Sequence, residues 1–147
     1  MPFIAAVQTT PDGQPQLACL SQQPFTCEEV AVFAARSIAP SATVVSDGLW
    51  CFGAVQIVGA EHERVVTDGG KASAKLPEFC AVNTFLRNLK RALGGTYHAF
   101  NFAKCAHRYL AEAQYRFNRR FNPRSILPRL LRAACVTPPT GFSRLCH

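Results

Sequence analysis

The apolar, β-branched run SATVVSDG ends on Asp47 followed by a glycine. A carboxylate placed there emerges at the end of a strand, where ligands gather in α/β proteins. The same residue also suits a plain turn, since Asp before Gly is a common turn former. Farther on, VNTFLRNLKR sets Asn83, Arg87 and Lys90 four and then three residues apart, on one side of a helix, with Phe85, Leu86 and Leu89 on the other. Alone, Asn83 reads as an N-cap. With two cations one and two turns along its own face, and no acidic residue among them, it reads as more. An amide oxygen can ligate a divalent cation while Arg87 and Lys90 hold a phosphodiester beside it.

Those residues need elements to position them. FIAAVQTT and QPQLACLSQ, joined through Pro11-Asp12-Gly13, predict a β-hairpin. Thr26 and Glu29 have capping-box spacing and open a helix with Val30, Phe33, Ala34 and Ile38 on one stripe. A strand ending at Asp47 follows, then a helical stretch GLWCFGAVQIVG and a short strand at ERVV. Residues 67–81 hold glycines, a proline and no periodicity, which predicts a loop. The basic helix is expected over about 83–93, capped by Gly94-Gly95. Another is expected over about 101–120, with Phe102, Cys105, Ala106, Tyr109, Ala113 and Phe117 facing inward. PRSILPRLLRAAC predicts a last short helix interrupted by Pro128. The chain is thus α/β with a mixed sheet.

At 147 residues with 48% hydrophobic content, one folded domain is expected. The longest apolar stretch, residues 49–60, falls short of the roughly 18 residues of a membrane span, and no secretory signal is evident at the start. Seven cysteines without a CxxC pair favour buried free thiols in a reducing compartment. A zinc site from Cys105, His107, Cys146 and His147 is the sharper alternative, without the usual paired spacing. Charge is divided unevenly: residues 1–70 carry two basic and seven acidic side chains, residues 71–147 fourteen and two. A basic half of that kind implies a polyanion, most simply nucleic acid, since clustered cations displace counterions from phosphates. Scattered solvated helix faces would not leave the second half so short of acids.

In order, TVVSDGL, VNTFLRNLKRALGGTYHA and RYLAEAQYRFNRRF resemble the second half of bacterial insertion-sequence transposases of the ISXO-like group. The resemblance runs from Phe3 to about Ala134. It implies a ribonuclease H-like mixed sheet flanked by helices over residues 1–135, with a Pro-containing tail at 136–147. It also implies metal-dependent DNA cleavage and strand transfer. In that family two Asp and a Glu or Asn hold two divalent cations, Mg²⁺ or Mn²⁺, and a Lys follows seven residues after the last. Residue by residue, Asp47 matches the second Asp, Asn83 the helix ligand and Lys90 the following cation. Asn83 would hold its metal more weakly than a carboxylate, lacking the charge.

The family's first Asp precedes the opening hairpin, whereas this sequence begins with Met1-Pro2 at that hairpin. The expectation is an N-terminally truncated, catalytically incomplete domain, its sheet missing a middle strand. Asp12 and Asp68 lie in the wrong places to substitute. Implied partners are transposon-end and target DNA, a second copy or a full-length transposase, in the cytoplasm on the nucleoid. Arg87, Arg91, Tyr97, His98, Lys104, Arg116, Arg119 and Arg120 are the expected DNA contacts. Tyr97 could equally pack beneath a loop. Trp50 reads as core, or as a platform for an unpaired base. The alternative activity is that of a non-catalytic DNA-binding remnant that modulates a full-length relative. An unrelated basic structural protein would leave the three segments to coincidence.

Overall fold

The computed structural model describes residues 2–66, 76–96 and 102–139. Strands β1 (Ile4–Thr9) and β2 (Pro15–Ser21) pair antiparallel. Their turn is closed by the Gln14 N–H donating to Thr10 Oγ1 at 3.0 Å, and Gly13 sits at φ 75°, where a side chain would be strained. Helix α1 (Cys27–Ser37) starts as its capping spacing predicts: Thr26 Oγ1 accepts from the Glu29 N–H at 3.3 Å. Strand β3 (Thr43–Asp47) is followed by a 3₁₀ helix (Trp50–Val58) and then β4 (Glu61–Val65). β3 and β4 pair in parallel, from Thr43 opposite Glu61 to Asp47 opposite Val65. Residues 48–60 give the crossover length that parallel neighbours require.

Among the described residues the strands form two ladders, β1–β2 and β3–β4, with no hydrogen bonding between them. β1 and β3 instead meet on a shared side-chain cluster. Ile4 of β1 is buried with Val30, Phe33 and Ala34 of α1 and with Cys51 and Val55 of the 3₁₀ helix, and Ala6 of β1 and Val44 of β3 pack onto that cluster. Burial in this cluster raises the pKa of the Cys51 thiol, which makes it a poor nucleophile. Opposite faces of the hairpin serve different cores, as the two-residue period dictates. Phe3, Val7, Ala18 and Leu20 belong to the second cluster, with Phe85 and Leu89 of α2 (Pro77–Thr96) and Leu110 of α3 (Phe102–Asn118).

α2 begins six residues before the predicted start, because Pro77 occupies a first-turn position that proline favours rather than marking a loop. Asn83 is therefore inside the helix and is not its N-cap. Gly94 and Gly95 lie within the last turn, not beyond it. A 3₁₀ turn (Pro123–Ser125) leads to α4 (Ile126–Val136). Pro128 falls in the first turn of α4, where its missing N–H costs nothing, so the helix is not interrupted. Leu127, Leu130 and Leu131 stand exposed on α4. No helix among the described residues is long and apolar enough to cross a membrane.

Helix α3 closes the outer edge of β2 with side-chain amides. Asn118 Oδ1 accepts from the Ala18 N–H at 2.7 Å, and its Nδ2 donates to the Ala18 carbonyl at 2.9 Å. One turn earlier, Gln114 Oε1 accepts from the Leu20 N–H at 2.7 Å. Two amides four residues apart on a helix thus imitate a neighbouring strand and protect an edge that would otherwise invite pairing. Asn118→Ala leaves the part-buried Ala18 donor and acceptor without these partners. It is expected to destabilise the fold by about 2–3 kcal/mol, read as a lower urea midpoint, while Asn118→Asp keeps only the acceptor and falls between.

Candidate nucleic-acid interface

Asp47 stands exposed at the carboxyl end of β3, level with Val65 at the same end of β4. Its Oδ1 accepts from the Leu49 N–H at 3.4 Å, a turn-forming contact. Next to it in the strand, Ser46 Oγ lies 2.8 Å from His62 Nε2, which ties β3 to β4. Around this end the surface is apolar. Leu49 is 36% exposed, Val66 70% and Trp50 67%, so the core placement expected for Trp50 does not hold. The 3₁₀ helix buries Cys51 and Val55 instead, which turns the preceding residue outward.

Asn83 is half-buried in the second turn of α2. The helix rests on the hairpin through Phe85 and Leu89, both buried. Arg87, Lys90 and Arg91 lie away from that stripe and are exposed, in line with the predicted two-sided helix.

The cations at the end of α3 are used differently from one another. Arg116 is exposed and reaches Glu112 at 3.3 Å, a surface pair worth little. The Arg119 guanidinium lies 4.0 Å from the centre of the Tyr115 ring. Arg120 donates to the carbonyls of Phe117 at 2.8 Å, Gln16 at 3.0 Å and Pro15, and covers the Phe117 ring at 3.8 Å. Burial lowers its pKa from the usual guanidinium value. These contacts make Arg120 a clamp between the end of α3 and the start of β2. Tyr97 and His98 lie outside the described residues, as does the side chain of Lys104. Sequence reasoning passed over Arg124, Arg129 and Arg132, exposed on the turn before α4 and on α4 itself. The signal for them was available: residues 113–139 contain no acid.

A cleft of about 470 Å³ between β2 and α3 is lined by Leu20, His107, Leu110, Gln114, Tyr115 and Arg119, and includes neither Asp47 nor Asn83. A hard cation such as Mg²⁺ takes about six oxygen ligands, usually one or two carboxylates with substrate phosphates and waters, so a pair of such ions calls for several carboxylates between them. Asp47 supplies one carboxylate and Asn83 an uncharged carbonyl. Among the described residues no three His, Cys, Asp or Glu side chains gather to hold a metal. These two donors do not fit a complete two-metal centre, and no reaction step follows from them alone. Of the suggested zinc ligands, Cys105 and His107 lie on α3, while Cys146 and His147 lie outside the described residues.

A model of the ISXO2-like transposase domain family matches residues 1–118, from the hairpin through the last residue of α3. Comparison with curated proteins and with solved structures gave no match.

Proposed function

The chain belongs to the family of ISXO2-like transposase domains, and we propose that it supplies the DNA-holding part of an insertion-sequence transposase without completing the catalytic centre. The observation that carries this reading is the face of α2 on which Arg87, Lys90 and Arg91 stand exposed while Phe85 and Leu89 fix the helix to the hairpin. Cations held on a rigid element meet a phosphate backbone at a smaller entropic cost than cations on a loose tail.

In a ribonuclease H-like reading, the two ladders are parts of one sheet. β1 and β3 both pack on the α1 cluster without sharing hydrogen bonds, which suits a strand between them. Such a strand is where the family resemblance puts a first metal-binding carboxylate. Asp47 and Asn83 would then be the remaining protein ligands for Mg²⁺ or Mn²⁺, with Lys90 against the phosphodiester. The ions supply Lewis acidity and an activated oxygen nucleophile when bound. The residues of this chain position DNA.

Incubating the purified chain with supercoiled and with transposon-end DNA, in Mg²⁺ or Mn²⁺, is expected to give binding without nicking. Nicking abolished by Asp47→Ala would overturn the incomplete centre. Binding whose logarithm does not fall with the logarithm of salt concentration would overturn the DNA-holding role.

A further inference from the structure

We infer that Trp50 is a stacking platform for an unpaired nucleobase. The inference rests on the DNA-holding role above and adds to it a ligand class and a residue. Trp50 is 67% exposed, an uncommon state for so large an apolar ring, yet its helix is anchored by Cys51, fully buried, and Val55, 2% exposed. The ring is therefore displayed from a fixed backbone, which suits recognition better than a ring on a loose loop.

Its neighbours extend the surface. Leu49 and Val66 are exposed, and Val66 lies against Gly48, where an added Cβ would sit 3.6 Å from the Val66 Cα. Together they form an apolar rim at the carboxyl end of the β3–β4 ladder, beside Asp47. A paired duplex presents phosphates and sugars to such a rim, with its base faces stacked inside. An unpaired base offers a bare π-face, and stacking on an aromatic ring is tolerant of which base it is. The second half of the chain, with fourteen basic residues against two acidic ones, supplies the backbone attraction that single-strand binding combines with aromatic platforms. Strand ends, where a base can leave the duplex, are the natural ligand.

Trp50 is the single tryptophan of the chain, so intrinsic fluorescence reports this ring directly. The full chain is titrated with a labelled blunt duplex and with the same duplex carrying a few unpaired 3′ nucleotides, following DNA anisotropy and tryptophan emission together. Both DNAs should bind, and only the overhang should quench the emission. Trp50→Ala should weaken overhang binding about five- to a hundredfold and leave the blunt duplex unchanged, with Trp50→Phe largely restoring it. Overhang binding without quenching overturns the inference while leaving the DNA-holding role intact. So does an equal loss for both DNAs in Trp50→Ala. An emission shift with protein concentration alone, together with a dimer that forms in the native chain and not in Trp50→Ala by sedimentation, assigns the rim to a second copy and also overturns it. If neither DNA binds at low salt, the DNA-holding role itself has failed, a different result from any of these.

Discussion

Phe85→Ala is expected to destabilise the fold by about 3–5 kcal/mol, a large part of the roughly 5–15 kcal/mol that holds a domain together. Phe85 is 4% exposed and meets Phe117 edge to face, with ring centres 4.7 Å apart and planes at 77°. Through that contact it joins α2 to α3, and through Ala18 it joins both helices to the hairpin. Truncation removes the ring and leaves a cavity between three elements that cannot all close on it, since the Asn118 and Arg120 contacts fix α3 to β2. With a urea dependence of about 2 kcal/mol per molar, the midpoint should fall by about 2 M. Phe85→Leu, which keeps most of the volume, should lose less than half as much. A loss below 1 kcal/mol for the alanine variant would mean that α2 does not rest on the hairpin as described.

The parts of this fold that were legible in the sequence are those whose cause is local. Pro11-Asp12-Gly13 sets the hairpin turn, Thr26 with Glu29 starts α1, and the branched run ending at Asp47 forms a strand because such side chains suit a pleated surface. What was not legible depends on partners far away in the chain. Nothing near Asn118 says that its amide will bond Ala18, a hundred residues earlier, or that Gln114 will bond Leu20. Arg120 shows how this matters for function: by composition it belongs to the basic set, and only the fold reveals that its donors are turned to the Pro15 and Gln16 carbonyls. Trp50 misleads in the other direction, because residue type predicts burial and the phase of a 3₁₀ helix decides otherwise. Asp47 and Asn83 came from position and from family resemblance, and the physical reading of each left a plain structural role open. For Asn83 the fold removes that role as an N-cap, since its helix starts at Pro77. For Asp47 the turn contact to Leu49 remains, so the proposal that it binds metal rests on the family resemblance alone.

The charge-reversed variant Arg87→Glu, Lys90→Glu, Arg91→Glu should bind duplex DNA about 500-fold more weakly near 0.1 M salt. Each phosphate contact contributes about 0.9 to the slope of log K against log salt, so losing three lowers the slope by about 2.7. Projected from 1 M, where counterion release vanishes, to 0.1 M, that is the stated factor, before any repulsion from the new carboxylates. The three positions are exposed and lie off the Phe85–Leu89 stripe, so thermal stability should change by only a few tenths of a kcal/mol. The loss should be the same for any duplex sequence, as the proposed role has these side chains meet phosphates and not base edges. A parallel variant, Arg124→Glu, Arg129→Glu, Arg132→Glu, separates the two basic surfaces. α4 lies beyond the residues that match the family, and its cations share the helix with exposed leucines. If the interface is on α2, reversal on α4 changes the slope little. If the α4 variant loses the slope and the α2 variant keeps it, the DNA is held by the C-terminal helix, and Lys90 has no phosphodiester to hold.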